Sequence, residues 1–365
     1  MENEKPIVHF GCGALGRGLV MPLLYQSKRI LAAIDTNEKI LDQIRKDGGY
    51  DLQISDREDP KEHVEVFKAL SSITQQEEVI ETLKNADTIT TSVKRENLKY
   101  LVPVILKVWG DEPCTGKAII CCENVENVGT YFKKLLLEQC DEKQKANILD
   151  IKIPNTIVDR ICSMNSEDMT IVSEKFHELS VDREVLEDTG IEYINSIDNV
   201  EGHFYRKRYL LNSYADAISF LAKKEGLTYL YEAAQNDKIN EQIKPYMRLL
   251  KDLLHEKYHI AEEELEQWQE IYRKRLQNDK IPRELTTVAR NLWEKLTVEE
   301  RFVKPLVQLL EMKKDISEGA QFIKKLIECG TQDEEPSKIR EKLMEIWNVC
   351  PEGEILFNMI DKISD

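Results

Sequence analysis

Short apolar runs separated by helical patterns fill the first part of the chain. Ile7-Val8-His9-Phe10 is a β-like run that stops at a glycine cluster, and Ile30-Leu31-Ala32-Ala33-Ile34 is a second that stops at Asp35. Thr88-Ile89-Thr90-Thr91-Ser92, rich in β-branched residues, is a third, and Ala118-Ile119-Ile120-Cys121-Cys122, ending at Glu123-Asn124, is a fourth. Continuous apolar strands separated by helical segments predict βαβ units and a parallel sheet buried on both faces. Strand signals fade after about residue 200. Tyr246, Leu249, Leu250, Leu253 and Leu254 then recur at helical spacing, as do Val303, Leu306, Val307 and Leu310, and Phe322, Ile323, Leu326 and Ile327. The expected fold is α/β, with an open-sheet domain over residues 1–195 followed by a mostly α-helical domain over 196–365. The turn-forming Asp188-Thr189-Gly190 lies just before that boundary.

Gly11-Cys12-Gly13-Ala14-Leu15-Gly16 directly follows the first strand and opens a helix. In a Rossmann-type domain the first glycine permits the tight turn. The second lets backbone approach a pyrophosphate, and the third lets helix pack on strand. The helix start offers amides and a positive dipole end to phosphates. Gly11, Gly13, Ala14, Leu15 and Gly16 are therefore candidate cofactor contacts. Asp35 closes the second strand 19 residues after Gly16, where an acid accepts from the adenosine ribose. Its charge repels a 2′-phosphate, so the expected cofactor is NAD rather than NADP. Arg17 is expected beside the pyrophosphate. Pro22 falls inside the expected helix and should kink or shorten it.

Length and charge narrow the function. The chain has 365 residues, enough for two domains at roughly 100–200 residues each. Its net charge of −16 argues against a nucleic-acid partner, which requires a basic footprint. No run approaches the roughly 18–20 apolar residues of a membrane span. The N-terminal MENEKPIVHF lacks a basic and apolar leader pattern, so a cytoplasmic location is expected. The eight cysteines form no CxxC pair and read as buried, reduced thiols.

The stretch Val8-His9-Phe10-Gly11-Cys12-Gly13-Ala14-Leu15-Gly16-Arg17-Gly18 resembles the opening of the mannitol dehydrogenase family, the polyol-specific long-chain dehydrogenases, in its mannitol-1-phosphate 5-dehydrogenase branch. Thr90-Thr91-Ser92-Val93 is similar to the family's third nucleotide-binding strand, Cys122-Glu123-Asn124 to its acidic-residue–Asn motif, and Val158-Asp159-Arg160-Ile161 to its VDRI motif. Lys207 and Asn212 match its Lys-x4-Asn, and Arg290 to Leu296 with Val303-Lys304-Pro305-Leu306 resemble a C-terminal substrate stretch. The resemblance implies an NAD-dependent, metal-independent oxidoreductase, with Ser92 and Asn124 added to the cofactor contacts. It implies a small-molecule partner, a sugar or polyol or its phosphate, and leaves the oligomeric state open.

Alcohol oxidation needs a base for the hydroxyl proton, and carbonyl reduction needs an acid. The resemblance gives both roles to Lys207. A lysine titrates ordinarily near 10.4 and serves near neutrality only where burial and neighbouring cations lower it. Arg206 and Arg208 flank Lys207. Asn212 and Asn124 could donate to the oxygen that gains charge, and Asp159 could orient hydroxyls or tune the lysine. Five residues turn an α-helix by about 140° past one turn, so Lys207 and Asn212 share a face only if the segment bends. Arg206, Arg208, Arg290 and Lys295 form the candidate anion cluster for a substrate phosphate or carboxylate.

The chain departs from the family pattern at Ala215, where Lys-x4-Asn-x2-His has histidine. Tyr214 and His203 are candidate substitutes. This leaves an unphosphorylated ketose or hexuronate reductase, or a catalytically degenerate NAD-binding homologue, as alternatives to a polyol-phosphate dehydrogenase. His255-Glu256-Lys257-Tyr258-His259 satisfies HExxH, a zinc-binding helix motif. The resemblance carries no metal here, so no metal site is expected.

Overall fold

Five parallel strands pair edge to edge: β1 (Ile7–Phe10), β2 (Leu31–Asp35), β3 (Lys68–Ser71), β4 (Thr88–Thr91) and β5 (Ala118–Cys121), in the order β3-β2-β1-β4-β5. Ile7 pairs with Leu31 on one side and Thr88 on the other, and Thr88 pairs in turn with Ala118. Side chains alternate between two cores. Ile7, Leu31, Ala33 and Ile120 pack on one face, while Val8, Phe10, Ala32, Ile34 and Ile119 pack on the other. This is the doubly covered sheet that the unbroken apolar runs predict.

The computed structural model describes residues 5–58, 60–165, 167–332 and 334–363. The first four residues of the N-terminal stretch lie outside them. Two compact units are present, Met1–Glu201 and Gly202–Asp365. The first holds two further sheets among its described residues. One has four strands, Lys61–Glu65, Gly49–Ile54, Ile171–Ser173 and Cys162–Met164; the other has three, Asn195–Ile197, Glu178–Asp182 and Thr156–Asp159. The second unit is helical, and its apolar repeats fall on Asp237–Tyr258, Lys304–Glu311 and Ser317–Gly330. The helix Asp237–Tyr258 buries Tyr246, Leu250, Leu253 and Leu254. All eight cysteines are free thiols, five of them buried. Among the described residues no helix is long and apolar enough to cross a membrane.

Pro22 neither ends nor shortens the helix after the glycine loop. The helical run continues through Gln26, with a π segment over Gly16–Val20 placed just before the proline. Met21 N–H reaches back five residues to Gly16 C=O. Pro22 has no N–H for the carbonyls of Arg17 and Gly18, five and four residues earlier. Both find outside donors: Tyr50 Oη donates to Arg17 O at 2.7 Å, and Arg160 Nη1 donates to Gly18 O at 2.9 Å. Tyr50→Phe strands a buried acceptor. The expected cost is about 1–3 kcal/mol, read as a lower urea midpoint with an unchanged m-value.

Candidate functional site

A cleft of about 770 Å³ opens in the first unit and is lined by Gly11, Gly13, Asp35, Thr36, Ser92 and Lys94 among others. It lies past the carboxyl ends of β1, β2 and β4, where the strand order reverses, the usual ligand position in open α/β sheets. Gly11 takes φ +104°, closed to ordinary side chains. A Cβ on Gly16 would meet Gly11 O at 2.0 Å, so this residue must be glycine for the helix to seat on the loop. A Cβ on Gly13 would meet nothing within 4 Å. There the bare backbone borders open space, a cradle that a side chain would fill. Arg17 N–H makes the first helical bond, to Gly13 O at 3.0 Å. The amides of Ala14, Leu15 and Gly16 precede that ladder, the usual anion-facing set at a helix start.

Asp35 stands at the end of β2. Its Oδ2 accepts from Cys12 N–H at 2.5 Å and its Oδ1 from Asn37 N–H at 2.8 Å. The carboxylate thus ties the loop to the strand while lining the cleft. Ser92 also lines it and donates Oγ–H to Gly11 O at 2.8 Å. Arg17 is not beside the cleft. It is buried, donating to Cys12 O and Met169 O, both at 2.8 Å, with Nη2 3.1 Å from Met164 Sδ. Its place in sequence suggested the pyrophosphate, but the π turn points it into the protein. Asn124 is exposed just past β5, and Asp159 is buried at the end of Thr156–Asp159. Arg160 donates Nε–H to Glu174 O at 2.7 Å besides its bond to Gly18 O.

In the second unit Lys207 is buried as the last residue of the helix Val200–Lys207. A π segment over Arg208–Ser213 follows, and the helix resumes over Tyr214–Lys223. The helical ladder thus changes from α to π directly after Lys207 and returns to α at Tyr214, without a break in the helix. Asn212 is half-buried. Tyr214 is buried with its hydroxyl on Asn240, and Ala215 is buried beside it. His203 Nδ1 lies 2.7 Å from Arg206 Nη1 and 3.8 Å from Glu264.

The four candidate cations separate. Arg206 is buried with its guanidinium 3.7 Å from the Trp268 ring centroid, and Nε donates to Tyr272 Oη at 3.2 Å. Arg208 and Lys295 instead join one network. Lys295 Nζ meets Asp216 at 2.9 Å, Arg301 meets Asp216 at 3.0 Å and Glu300 at 3.4 Å, and Glu300 meets Arg208 at 2.9 Å. Among the described residues, Arg208 Nε is buried without a hydrogen-bond partner. Burial holds the Lys295 ammonium below its usual range, against the pull of Asp216. Arg290 is exposed. The HExxH histidines do not share a helical face. His259 caps the helix at φ +56°, and His255 Nδ1 lies 2.9 Å from Ile260 O.

Residues 5–193 match the mannitol dehydrogenase Rossmann domain and residues 199–345 the mannitol dehydrogenase C-terminal domain. The chain belongs to the mannitol dehydrogenase family. It is accordingly an oxidoreductase of the dehydrogenase type. A mannitol-1-phosphate 5-dehydrogenase of Pyrenophora tritici-repentis is 27% identical over 320 residues, covering 85% of this chain and 82% of that protein. One from Lactiplantibacillus plantarum is 27% identical over 321 residues, covering 85% and 83%. Among solved structures, a Pseudomonas fluorescens mannitol 2-dehydrogenase in complex with NAD and D-mannitol has a TM-score of 0.77 at 15% identity, over 100% of this chain and 92% of that one. A D-sorbitol dehydrogenase has a TM-score of 0.79 at 16% identity, over 98% and 92%.

In this mannitol dehydrogenase family member, two residues inside the quoted motifs have supporting roles that the sequence reading did not assign. His9 is fully buried under the glycine loop. Its Nε2 donates to Gly11 O at 2.9 Å and Nδ1 accepts from Thr90 Oγ1 at 2.8 Å. The carbonyl can only accept, so Nε2 carries the proton, and burial keeps the ring neutral. Glu123 is buried and accepts from Thr91 Oγ1 at 2.8 Å and Val93 N–H at 2.9 Å. Burial raises its carboxyl above the usual range. The available signals were a polar residue inside an apolar strand run and an acid directly after another such run.

Burial lowers the His9 pKa from 6.5 to about 4, partly offset by the Gly11 carbonyl and Asp35. The depressed value means that the unfolded chain takes up a proton which the folded one refuses between about pH 6.5 and 4. The His9 contribution is complete above 6.5 and is lost as pH falls through that window, for about 3 kcal/mol. Unfolding followed between pH 7 and 4 should show this slope in the wild type, and His9→Gln should flatten it.

Proposed function

We propose that this chain is a cytoplasmic, NAD-dependent enzyme that interconverts a polyol phosphate and a ketose phosphate, of the mannitol 1-phosphate and fructose 6-phosphate type. The observation that carries the reading is Lys207, buried at the end of a helix that passes directly into the π segment holding Asn212. The mannitol-1-phosphate 5-dehydrogenase names of the relatives support the substrate class.

The glycine loop fits a dinucleotide. Gly13 is open on its Cβ side, the amides of Ala14, Leu15 and Gly16 precede the helical ladder, and Asp35 and Ser92 line the same cleft. When bound, NAD supplies the hydride acceptor, and NADH the donor. Lys207 takes the hydroxyl proton on oxidation and returns it on reduction. Asn212 and Asn124 donate N–H to the oxygen that gains charge, and as neutral donors they do not trap an alkoxide. Asp159 orients the neighbouring hydroxyls. Arg208 is the strongest candidate for the phosphate, since its buried Nε is left over from an otherwise satisfied network. Lys295 and the exposed Arg290 add charge to the same unit, whereas Arg206 is occupied by Trp268 and Tyr272.

A second reading takes an unphosphorylated ketose or hexuronate. It is favoured by the pairing of Lys295 with Asp216 and of Arg208 with Glu300, which leaves less charge for a phosphate. NADH oxidation with fructose 6-phosphate, fructose, fructuronate and tagaturonate separates the two readings. Turnover on the phosphate alone is expected, and turnover on fructose alone overturns the phosphate reading. NADH binding with no turnover on any of them would mean that Ala215 marks a degenerate site. Lys207→Met should lower kcat by roughly 10²-fold or more with NADH affinity retained by fluorescence titration. Asp35→Ser should shrink the NADH preference over NADPH by roughly tenfold, measured as a ratio of Kd values.

A further inference from the structure

Lys94 stands where the chain leaves β4, with φ +73° and ψ 149°. A positive φ with extended ψ is close to glycine territory, and a side chain there is strained. The neighbours enforce the conformation. Val93 N–H is held by buried Glu123 at 2.9 Å, Asn97 Nδ2 donates to Val93 O at 2.7 Å, and Asn97 N–H donates to Lys94 O at 3.0 Å. Glycine would fit without strain, yet an exposed lysine stands there, and it is among the residues lining the cleft that also holds Gly11 and Gly13.

The charge around it points to an anion. Among the described residues Lys94 makes no ion pair. Asp35 is the one carboxylate of the described lining, and both its oxygens accept from backbone amides. Arg17, the nearest cation in sequence to the glycine loop, is buried on Cys12 O and Met169 O. Lys107 lines the cleft too, from the helix Val102–Trp109. Lys94 is closer in the chain to the loop, two residues past Ser92, whose hydroxyl holds Gly11 O. A chain of net charge −16 repels an anionic ligand at long range, so a local cation is needed to hold one.

We propose that Lys94 is a direct dinucleotide contact whose ammonium pairs with the cofactor diphosphate, the role that Arg17 does not fill. The proposal rests on the dinucleotide reading above. Three variants of the full chain test it: Lys94→Gly, Lys94→Met and Lys94→Arg, with NADH, ADP and adenosine as probes and thermal unfolding alongside. Lys94→Gly should raise Tm while weakening NADH and ADP binding roughly tenfold. Lys94→Met should weaken both similarly and reduce the salt dependence of NADH binding, while Lys94→Arg keeps most of the affinity. Adenosine, which lacks the diphosphate, should bind all forms alike. A wild type that binds NADH, with Lys94→Met binding it as tightly, overturns the role of Lys94 alone. So does an equal loss of adenosine affinity. A wild type that binds neither NADH nor ADP overturns the dinucleotide reading and this proposal together.

Discussion

The carbonyl oxygen of Gly11 is the point on which the first unit's site depends. It accepts from Ser92 Oγ and His9 Nε2, and it faces the position where any Cβ on Gly16 would fall at 2.0 Å. Strand β1, strand β4 and the helix after the loop therefore converge on one atom. His9 can serve there only as a neutral ring, because an imidazolium would have to be desolvated under the loop. The strand could have carried another apolar residue at position 9. The polar one is present because a tight turn at φ +104° leaves a buried carbonyl that must be paired.

The same accounting explains both π segments. A π turn inserts one residue into the helical ladder and frees carbonyls that the α pattern would have paired. After the glycine loop, the freed groups of Arg17 and Gly18 are taken by Tyr50 and Arg160. Those donors come from outside the five-stranded sheet, Tyr50 from the strand Gly49–Ile54 and Arg160 from just beyond Thr156–Asp159. The two smaller sheets thus help set the geometry of the helix that starts the cleft. In the helical unit the π segment has a different consequence. Ser213 Oγ donates to Arg208 O at 3.1 Å, so the carbonyl at the start of the π segment is taken by the side chain at its end.

The parallel sheet was legible because four of its strands are continuous apolar runs set between helical segments, the signature of strands buried on both faces. Lys68–Ser71, the edge strand β3, was not, because only three of its four residues are buried and so short a run carries little periodicity. The strands between residues 156 and 197 were missed for the same reason. They run three to five residues, and Cys162–Met164 buries no residue fully. At the site, the glycines and Asp35 were readable because their spacing has one mechanical meaning. The direction of Arg17 was not, since it depends on a π turn that sequence periodicity does not encode. Nor was the strain at Lys94, because lysine gives no hint of a left-handed backbone.

The anion cluster shows most clearly where one-dimensional reading stops. Four basic residues near a substrate segment looked like one positive patch, but charge counted along the sequence ignores counter-ions. Asp216, one residue past Ala215, is nearly buried and holds both Lys295 and Arg301, while Glu300 bridges Arg301 to Arg208. Three cations and two carboxylates remain as a network with modest excess positive charge. Such a network is a poor long-range attractor in an acidic chain, but its geometry is fixed before any ligand arrives. Removing one carboxylate would leave partly buried cations unpaired, which costs more than an exposed pair contributes. For the proposed phosphate substrate, the donors on offer are those the network leaves unspent, and the buried Nε of Arg208 is one. The proposed phosphate would then be recognised by directed hydrogen bonds at short range, with the overall charge of −16 opposing its approach out to roughly the 8–10 Å Debye length.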